Sequence, residues 1–226
     1  MGRECGTINV GWNRSCIMDR LYSYPSVYGV GHKAIANLFS GPVLVEEKID
    51  GSQFSMSMLD GQLVCRSKGQ QIIIDAPEKL FGKAVDTAKS LDLKPNWIYR
   101  SEYLSKPKHN TLKYDHIPVS NIIVFDISTG VEEYMTYDEK YAEAMRLGLQ
   151  CVPRLHYGIV DSFDMFKSFL ETESILGGTK VEGIVIKNYS IFTAEKKIAI
   201  GKYVSEAFKE VHDASWKERN PTGKDI

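Results

Sequence analysis

No run of apolar residues approaches the length that crosses a bilayer as a helix, about 18–20 residues, and the N-terminus lacks the charged-then-apolar pattern of a signal peptide. The expectation is a cytoplasmic protein with no membrane partner. Cysteine is scarce: 4 in 226 residues, Cys5, Cys16, Cys65 and Cys151, with no paired C-x-x-C spacing. That argues for reduced thiols rather than disulfides or zinc. Net charge is nearly absent as well, 28 basic against 29 acidic residues giving -1, so a polyanion would have to be held by a local basic patch. There is no internal repeat, low-complexity tract or obvious linker, and nothing pairs His32 with His156 into a metal site. What is there is an ordinary globular composition, 43% hydrophobic and 25% charged, long enough for one large domain or two small ones.

The chain reads as short strands joined by turns and single helices. Residues 43–48 lead three branched apolar residues into a charged segment, and Asp50-Gly51 reads as a tight turn into an alternating strand from Phe54. Asp60-Gly61 is a hairpin signal before the strand at 62–66. Helices are expected at 31–39, at 78–91 with Pro77 suited to the first turn, at 137–147 closed by Gly148, at 162–170 and at 205–216. Further strands are expected at 97–103, 122–127, 181–187 and 198–204. This pattern predicts an α+β domain with largely antiparallel sheets flanked by helices. The polar, turn-rich ending 220–226 carries the expectation that the chain stops short of a further domain.

Lys48 is the oddest charge in the sequence, a lysine at the end of an apolar strand just before a turn. Such an amine is a nucleophile only when partly neutral, which requires burial or nearby cations. By the two-residue period Glu46 and Asp50 share its strand face and oppose this, so Lys187 and Lys202, on late strands, are the candidate counterweights. Glu182 lies inside an apolar strand where an unpaired carboxylate is costly to bury, and the same argument marks Glu102 and Lys187.

Lys48-Ile49-Asp50-Gly51 resembles the first motif of the covalent nucleotidyltransferases, the ATP-dependent RNA and DNA ligases and the mRNA capping enzymes. The later motifs follow in order. Arg66 is similar to the arginine after the nucleophile in ligases; Tyr99-Arg100-Ser101-Glu102-Tyr103 and Ile123-Val124-Phe125-Asp126 look like the next two motifs. Val181-Glu182-Gly183-Ile184-Val185-Ile186-Lys187 matches E-G-x-V-x-K, and Lys202 stands where the last motif's lysine belongs. The likeness runs from about residue 22 to residue 211. The wording of residues 46–54, and Phe208-Lys209-Glu210, is more similar to RNA than to DNA ligases. One departure is that the last motif is usually K-x-K, and here one lysine is absent, with Lys196, Lys197 or Lys209 as substitutes.

The resemblance implies an ATP-grasp-like ligase fold over residues 1–226 and an ATP-dependent RNA ligase. Lys48 would take AMP from ATP as a phosphoramidate, pass it to an RNA 5′-phosphate, and a 3′-hydroxyl would displace it to seal the strand. Lys187 and Lys202 would hold the α-phosphate, and Glu182 would bind Mg²⁺ or Mn²⁺, directly or through water. Glu102 would contact the ribose, Phe125 would stack on adenine, Arg66 would hold the ribose or phosphate side, and Glu47 would lie near the adenine amino group. Core packing for Phe125 and solvated charges for Arg66 and Glu47 are the plainer alternatives. Gln53 reads as a phosphate contact or a turn cap. In the acid-free loop 105–114, Lys106, Lys108 and Lys113 read as RNA contacts or as solvated charges. A DNA ligase, a capping guanylyltransferase and a non-catalytic nucleotide- or RNA-binding module are the rival readings.

Overall fold

The structure is a computed structural model and describes residues 21–160 and 162–206. The strands in chain order are β1 (Tyr28–Gly29), β2 (Val43–Lys48), β3 (Ser52–Leu59), β4 (Gln62–Ser67), β5 (Gln71–Ile72), β6 (Ile98–Tyr103), β7 (Ile122–Gly130), β8 (Glu133–Tyr134), β9 (Gln150–Cys151), β10 (Arg154–Gly158), β11 (Gly183–Phe192) and β12 (Ile198–Val204). The helices are α1 (Gly82–Ser90), α2 (Tyr137–Arg146) and α3 (Phe163–Leu170). They build two sheets. One has the order β1-β12-β11-β2-β10, the other β5-β4-β3-β6-β7-β8 with β9 beside β7. Every strand pair is antiparallel except β1 with β12 and β7 with β9. The architecture is α+β, as the spacing of the strands predicts.

Alternation along each strand explains why one face of each sheet is apolar and the other polar. In the first sheet Val43, Val45, Ile184, Ile186 and Ala199 turn outward against Ile35, Leu38 and Phe166. In the second, Phe54, Met56, Tyr99, Tyr103, Val124 and Ile127 pack against Phe81, Val85, Ala88 and Ala144 from the helical side. Each large aliphatic side chain so buried stabilises the fold by roughly 1.5–3 kcal/mol. The intervening positions, Glu46, Lys48, Gln53, Ser55, Arg100, Glu102 and Lys187, are left to the opposite faces by the two-residue period.

Local chemistry sets the ends of the elements. Asp60 (φ 49) and Gly61 (φ 76) are both left-handed, as a two-residue hairpin turn requires. Thr136 caps α2 in a reciprocal box, accepting from Glu139 N while Glu139 accepts from Thr136 N. Gly148 closes the far end at φ 69. Three expectations are corrected. The helix expected at 78–91 begins only at Gly82, because residues 78–81 form a turn (Phe81 N to Glu78 O, 2.8 Å) and Phe81 offers no side-chain cap. Residues 31–39 hold only a three-residue 3-10 helix, Lys33–Ile35, with His32 Nδ1 accepting from Ala34 N, followed by a further turn (Leu38 N to Ile35 O, 3.0 Å). Asp50-Gly51 is not a hairpin turn, because β2 and β3 belong to different sheets and the segment between them crosses from one to the other. The helix expected at 205–216 lies almost wholly outside the described residues.

Candidate active site

The crossing from β2 to β3 opens a cavity of about 670 Å³. The first sheet contributes Glu46, Lys48, Val185, Lys187 and Lys202, the second Gln53, Glu102 and Phe125, and the segment 23–28 forms a further wall. Glu47 and Lys68 also line it.

Lys48 Nζ stands 2.8 Å from both carboxylate oxygens of Glu182, which pairs it across the β2–β11 ladder where Gly183 faces Lys48. Gly183 also lets β12 come close on the other side, since a Cβ there would meet Tyr203 O at 2.5 Å. Burial pushes the Lys48 ammonium down, but Glu182, then Glu102, and more weakly Asp50, outweigh it and hold the amine above its ordinary range. The expected activation of Lys48 by Lys187 and Lys202 is therefore not present in this arrangement. The opposition comes chiefly from Glu182 and Glu102 rather than from Glu46, whose carboxylate is paired with Lys140 and Lys187.

Glu102 faces Gln53 across the β3–β6 ladder. Burial raises its carboxyl to about 8, against the opposing pull of Lys48, and its Oε2 is buried with no hydrogen-bond partner. An orphaned acceptor at the edge of a cavity is costly unless something completes it. Burial also raises the Glu182 carboxyl, with Lys48 acting against it. Among the described residues no group of three His, Cys, Asp or Glu side chains could hold a metal unaided. One or two carboxylates completed by substrate phosphates and water are, however, the donor set that Mg²⁺ and Mn²⁺ take in nucleotide sites, and Glu182 with the neighbouring Glu102 fits it.

Phe125 owes its place to a bulge. The register passes from Arg100 opposite Asp126 to Ser101 opposite Val124, so Phe125 is the extra residue of β7. A bulged residue leaves the ladder and redirects its neighbours. Here Phe125 faces the cavity and Asp126 approaches Lys187, while the freed Phe125 carbonyl accepts from Lys187 (2.6 Å) and Lys140 (2.8 Å). Tyr24 meets the Phe125 ring edge-on at 5.1 Å and donates to Asp126 at 2.6 Å.

Lys187, 2% exposed, pairs with Glu46 (2.7 Å) and Asp126 (3.1 Å). Burial lowers its ammonium but Asp126 and Glu46 raise it further, so it stays charged. Lys202 is exposed on β12, and its charge reaches Glu182. Glu47 lines the cavity, yet its carboxylate accepts from Ser174 Oγ (2.5 Å) and Ile175 N (3.0 Å), which anchors the loop before β11 rather than aiming at a base. Arg66 does not line the cavity. It sits on β4 with its Nε buried and unpartnered, and Lys68, two residues on and overlooked in the sequence, takes the cavity position.

Asp50 has a role the sequence did not disclose. Its Oδ2 accepts from Thr111 N (2.8 Å) and Leu112 N (2.7 Å), and its own N–H donates to Tyr114 Oη (2.8 Å). Asn110 donates to Gly51 O at 2.6 Å, and His109 Nε2 lies 2.9 Å from Ser52 Oγ. A Cβ at Gly51 would lie 2.9 Å from both Leu104 Cδ1 and Tyr103 O. The segment after Lys48 thus ties down the basic loop, whose Lys106, Lys108 and Lys113 are exposed and outside the cavity. Lys140 and Tyr24 are the other residues missed. A lysine in an amphipathic helix and a tyrosine before a proline carry no signal of their own.

The RNA ligase family model matches residues 41–204. The fold is similar to that of the Naegleria gruberi RNA ligase with pyrophosphate, at a TM-score of 0.64 and 17% identity over 85% of this chain and 58% of that one. A lysine-to-alanine mutant of that ligase, with ATP and Mn, gives 0.63 and 16% over 85% and 58%. An archaeal ATP-dependent RNA ligase gives 0.62 and 19% over 89% of this chain and 52% of that one. The chain thus spans a little over half the length of these solved structures. No curated protein sequence matches it significantly.

Proposed function

Because the chain belongs to the RNA ligase family, we propose that it carries the adenylyltransferase centre of an ATP-dependent RNA ligase, with Lys48 as the acceptor of AMP. The observation that supports this most is Lys48 at the wall of a nucleotide-sized cavity, paired with Glu182 and beside the orphaned Glu102 Oε2.

In this reading the base lies against Phe125 and the ribose hydroxyls satisfy Glu102. Lys202 and Lys187 face the α-phosphate and neutralise its oxygens, the main demand of phosphoryl transfer. The Lys48 amine forms the P–N bond as the bond to pyrophosphate breaks. Before that, the ammonium, held by Glu182 at 2.8 Å, must give up a proton to water in the open cavity. A divalent cation held by Glu182 would supply positive charge to the phosphates. With that carboxylate engaged elsewhere, the largest influence that keeps the Lys48 amine charged would be gone. AMP then passes to an RNA 5′-phosphate, and a 3′-hydroxyl displaces it. Lys106, Lys108 and Lys113, exposed on the loop, would meet the RNA backbone, and Gln53, in the cavity wall, would meet a phosphate.

Incubation with α-labelled ATP and Mg²⁺ or Mn²⁺ tests the reading. The chain should take up a label stable to alkali and lost in acid, as a lysine phosphoramidate is, and Lys48→Ala should take up none. Equal labelling of both would refute it. Sealing of matched single-stranded, nicked-duplex and stem-loop RNAs then identifies the substrate.

A further inference from the structure

The cage around Lys187 is built with spare donors. The Lys187 ammonium donates a hydrogen bond to the Phe125 carbonyl (2.6 Å) and forms ion pairs with Glu46 Oε2 (2.7 Å) and Asp126 Oδ2 (3.1 Å). Held by two carboxylates and a carbonyl, Lys187 is engaged away from any phosphate, although it lines the cavity. To serve one it must release a partner. Each of its partners has a second donor, brought from elsewhere in the chain. Lys140 of α2 donates to Glu46 Oε1 and, at 2.8 Å, to the Phe125 carbonyl. Tyr24 and Tyr189 donate to Asp126 at 2.6 and 3.0 Å.

The burial of this group makes the redundancy consequential. Lys140 and Asp126 are 0% exposed and Glu46 is 1% exposed. A buried carboxylate stripped of its partner is strongly unfavourable, so a cation that merely belonged to a structural pair would stay where it is. With Lys140 in place on Oε1, Glu46 keeps an ammonium when Lys187 leaves, and only its Oε2, which has no hydrogen bond even in the closed cage, gives up an ion pair. Arg100, 2% exposed and electrostatically linked to Asp126, keeps positive charge on the other side of the cage.

We propose that Lys140 is a positioning residue that stands in for Lys187, holding Glu46 and the Phe125 carbonyl so that Lys187 is free to turn to the entering phosphate. This rests on the reading of the cavity as the site of lysine adenylylation. Lys140 touches no reactant and acts only through the freedom it gives Lys187.

A double-mutant cycle on the full chain tests it, reading the single-turnover rate of AMP transfer to Lys48 at saturating ATP. All variants are assayed below the melting temperature of the least stable and normalised to folded protein. Lys140→Met leaves Glu46 with Lys187 alone and should slow labelling about 10- to 100-fold, within the roughly 2- to 150-fold span of couplings inside one charge network. Adenosine binding, which needs no phosphate contact, should be unchanged. With Glu46→Gln as background there is no carboxylate to guard, so adding Lys140→Met should change the rate by less than about threefold. That comparison decides the matter even where Lys140→Met alone does not fold. Lys140→Met labelling like the unmodified chain, or slowing it tenfold or more in the Glu46→Gln background, overturns the inference and leaves the adenylylation reading intact. An unmodified chain that takes no label overturns both.

Discussion

Replacing Asp50 should separate two jobs that the residues after Lys48 perform. One carboxylate oxygen, on a residue 7% exposed, accepts two backbone N–H groups of the basic loop. Asp50→Ala would leave both donors without an acceptor, and an orphaned buried donor costs about 1–3 kcal/mol. Thr111 is 8% exposed and pays that in full, whereas Leu112 is only partly buried and water can relieve some of it. The expected loss is about 3 kcal/mol. Asp50→Asn keeps an oxygen for the same two bonds and loses only the charge assistance, so about 1 kcal/mol is expected. Urea unfolding at constant m-value gives both numbers, and hydrogen exchange at the Thr111 and Leu112 amides should quicken in the alanine variant. The same variant should weaken RNA binding more than it slows labelling of Lys48, because the loop carries Lys106, Lys108 and Lys113. Equal losses below 1 kcal/mol for both variants would refute the anchoring argument.

Stability should also depend on pH through Glu102. Its carboxyl sits at about 8 in the fold against an ordinary 4.5, so between those values the folded state holds a proton that the unfolded chain lacks. Stability must then fall as pH rises through that window and level off above it, by about 2–4 kcal/mol after allowance for partial exposure. Denaturation at pH 5 and pH 8 in chelator should show this slope in the native chain and lose it in Glu102→Gln. Lys202→Ala removes an exposed side chain and should leave stability within about 0.5 kcal/mol while slowing AMP transfer, measured by label uptake. Lys106, Lys108 and Lys113 changed together to Ala should flatten the salt dependence of single-stranded RNA binding by about 2 in log–log slope. An unchanged slope would show that the loop meets no phosphates.

The sequence revealed those parts of the site that lie on single strands. Lys48, Glu102, Glu182 and Lys187 stood out because a charge inside an apolar run is costly unless it has work; the structure brings Lys48, Glu102 and Lys187 to one cavity and pairs Glu182, one residue before β11 rather than within it, with Lys48. What it hid depends on neighbours distant in the chain. The two-residue period rightly put Glu46 on the face of Lys48, yet Glu46 serves Lys140 and Lys187, from α2 and β11. The bulge at Phe125 is a mismatch of register between two strands and has no signature in either alone. Asp50-Gly51 has the composition of a hairpin turn, but whether the following strand pairs back is decided by the outer faces of β2 and β3, which pack into different cores. Arg66 and Lys68 both follow the same hairpin, and only the extent of β4 tells which reaches the cavity.

The first sheet is closed by its ends: β1, at Tyr28–Gly29, pairs in parallel with Gly201 and Lys202 of β12. The strand β2, which bears Lys48, likewise has neighbours only from far downstream, β10 and β11. The second sheet, by contrast, joins β3, β4, β6 and β7 within about 80 residues of chain. Contacts of short separation form first, and synthesis delivers them first. During translation the wall bearing Glu102 and Phe125 can thus be in place while Lys48 still lacks both Glu182 and Lys202. The Lys48 amine acquires its surroundings only as β12 emerges, so a chain still short of β11 and β12 would carry this lysine with neither the carboxylate that pairs it nor the second cation beside it.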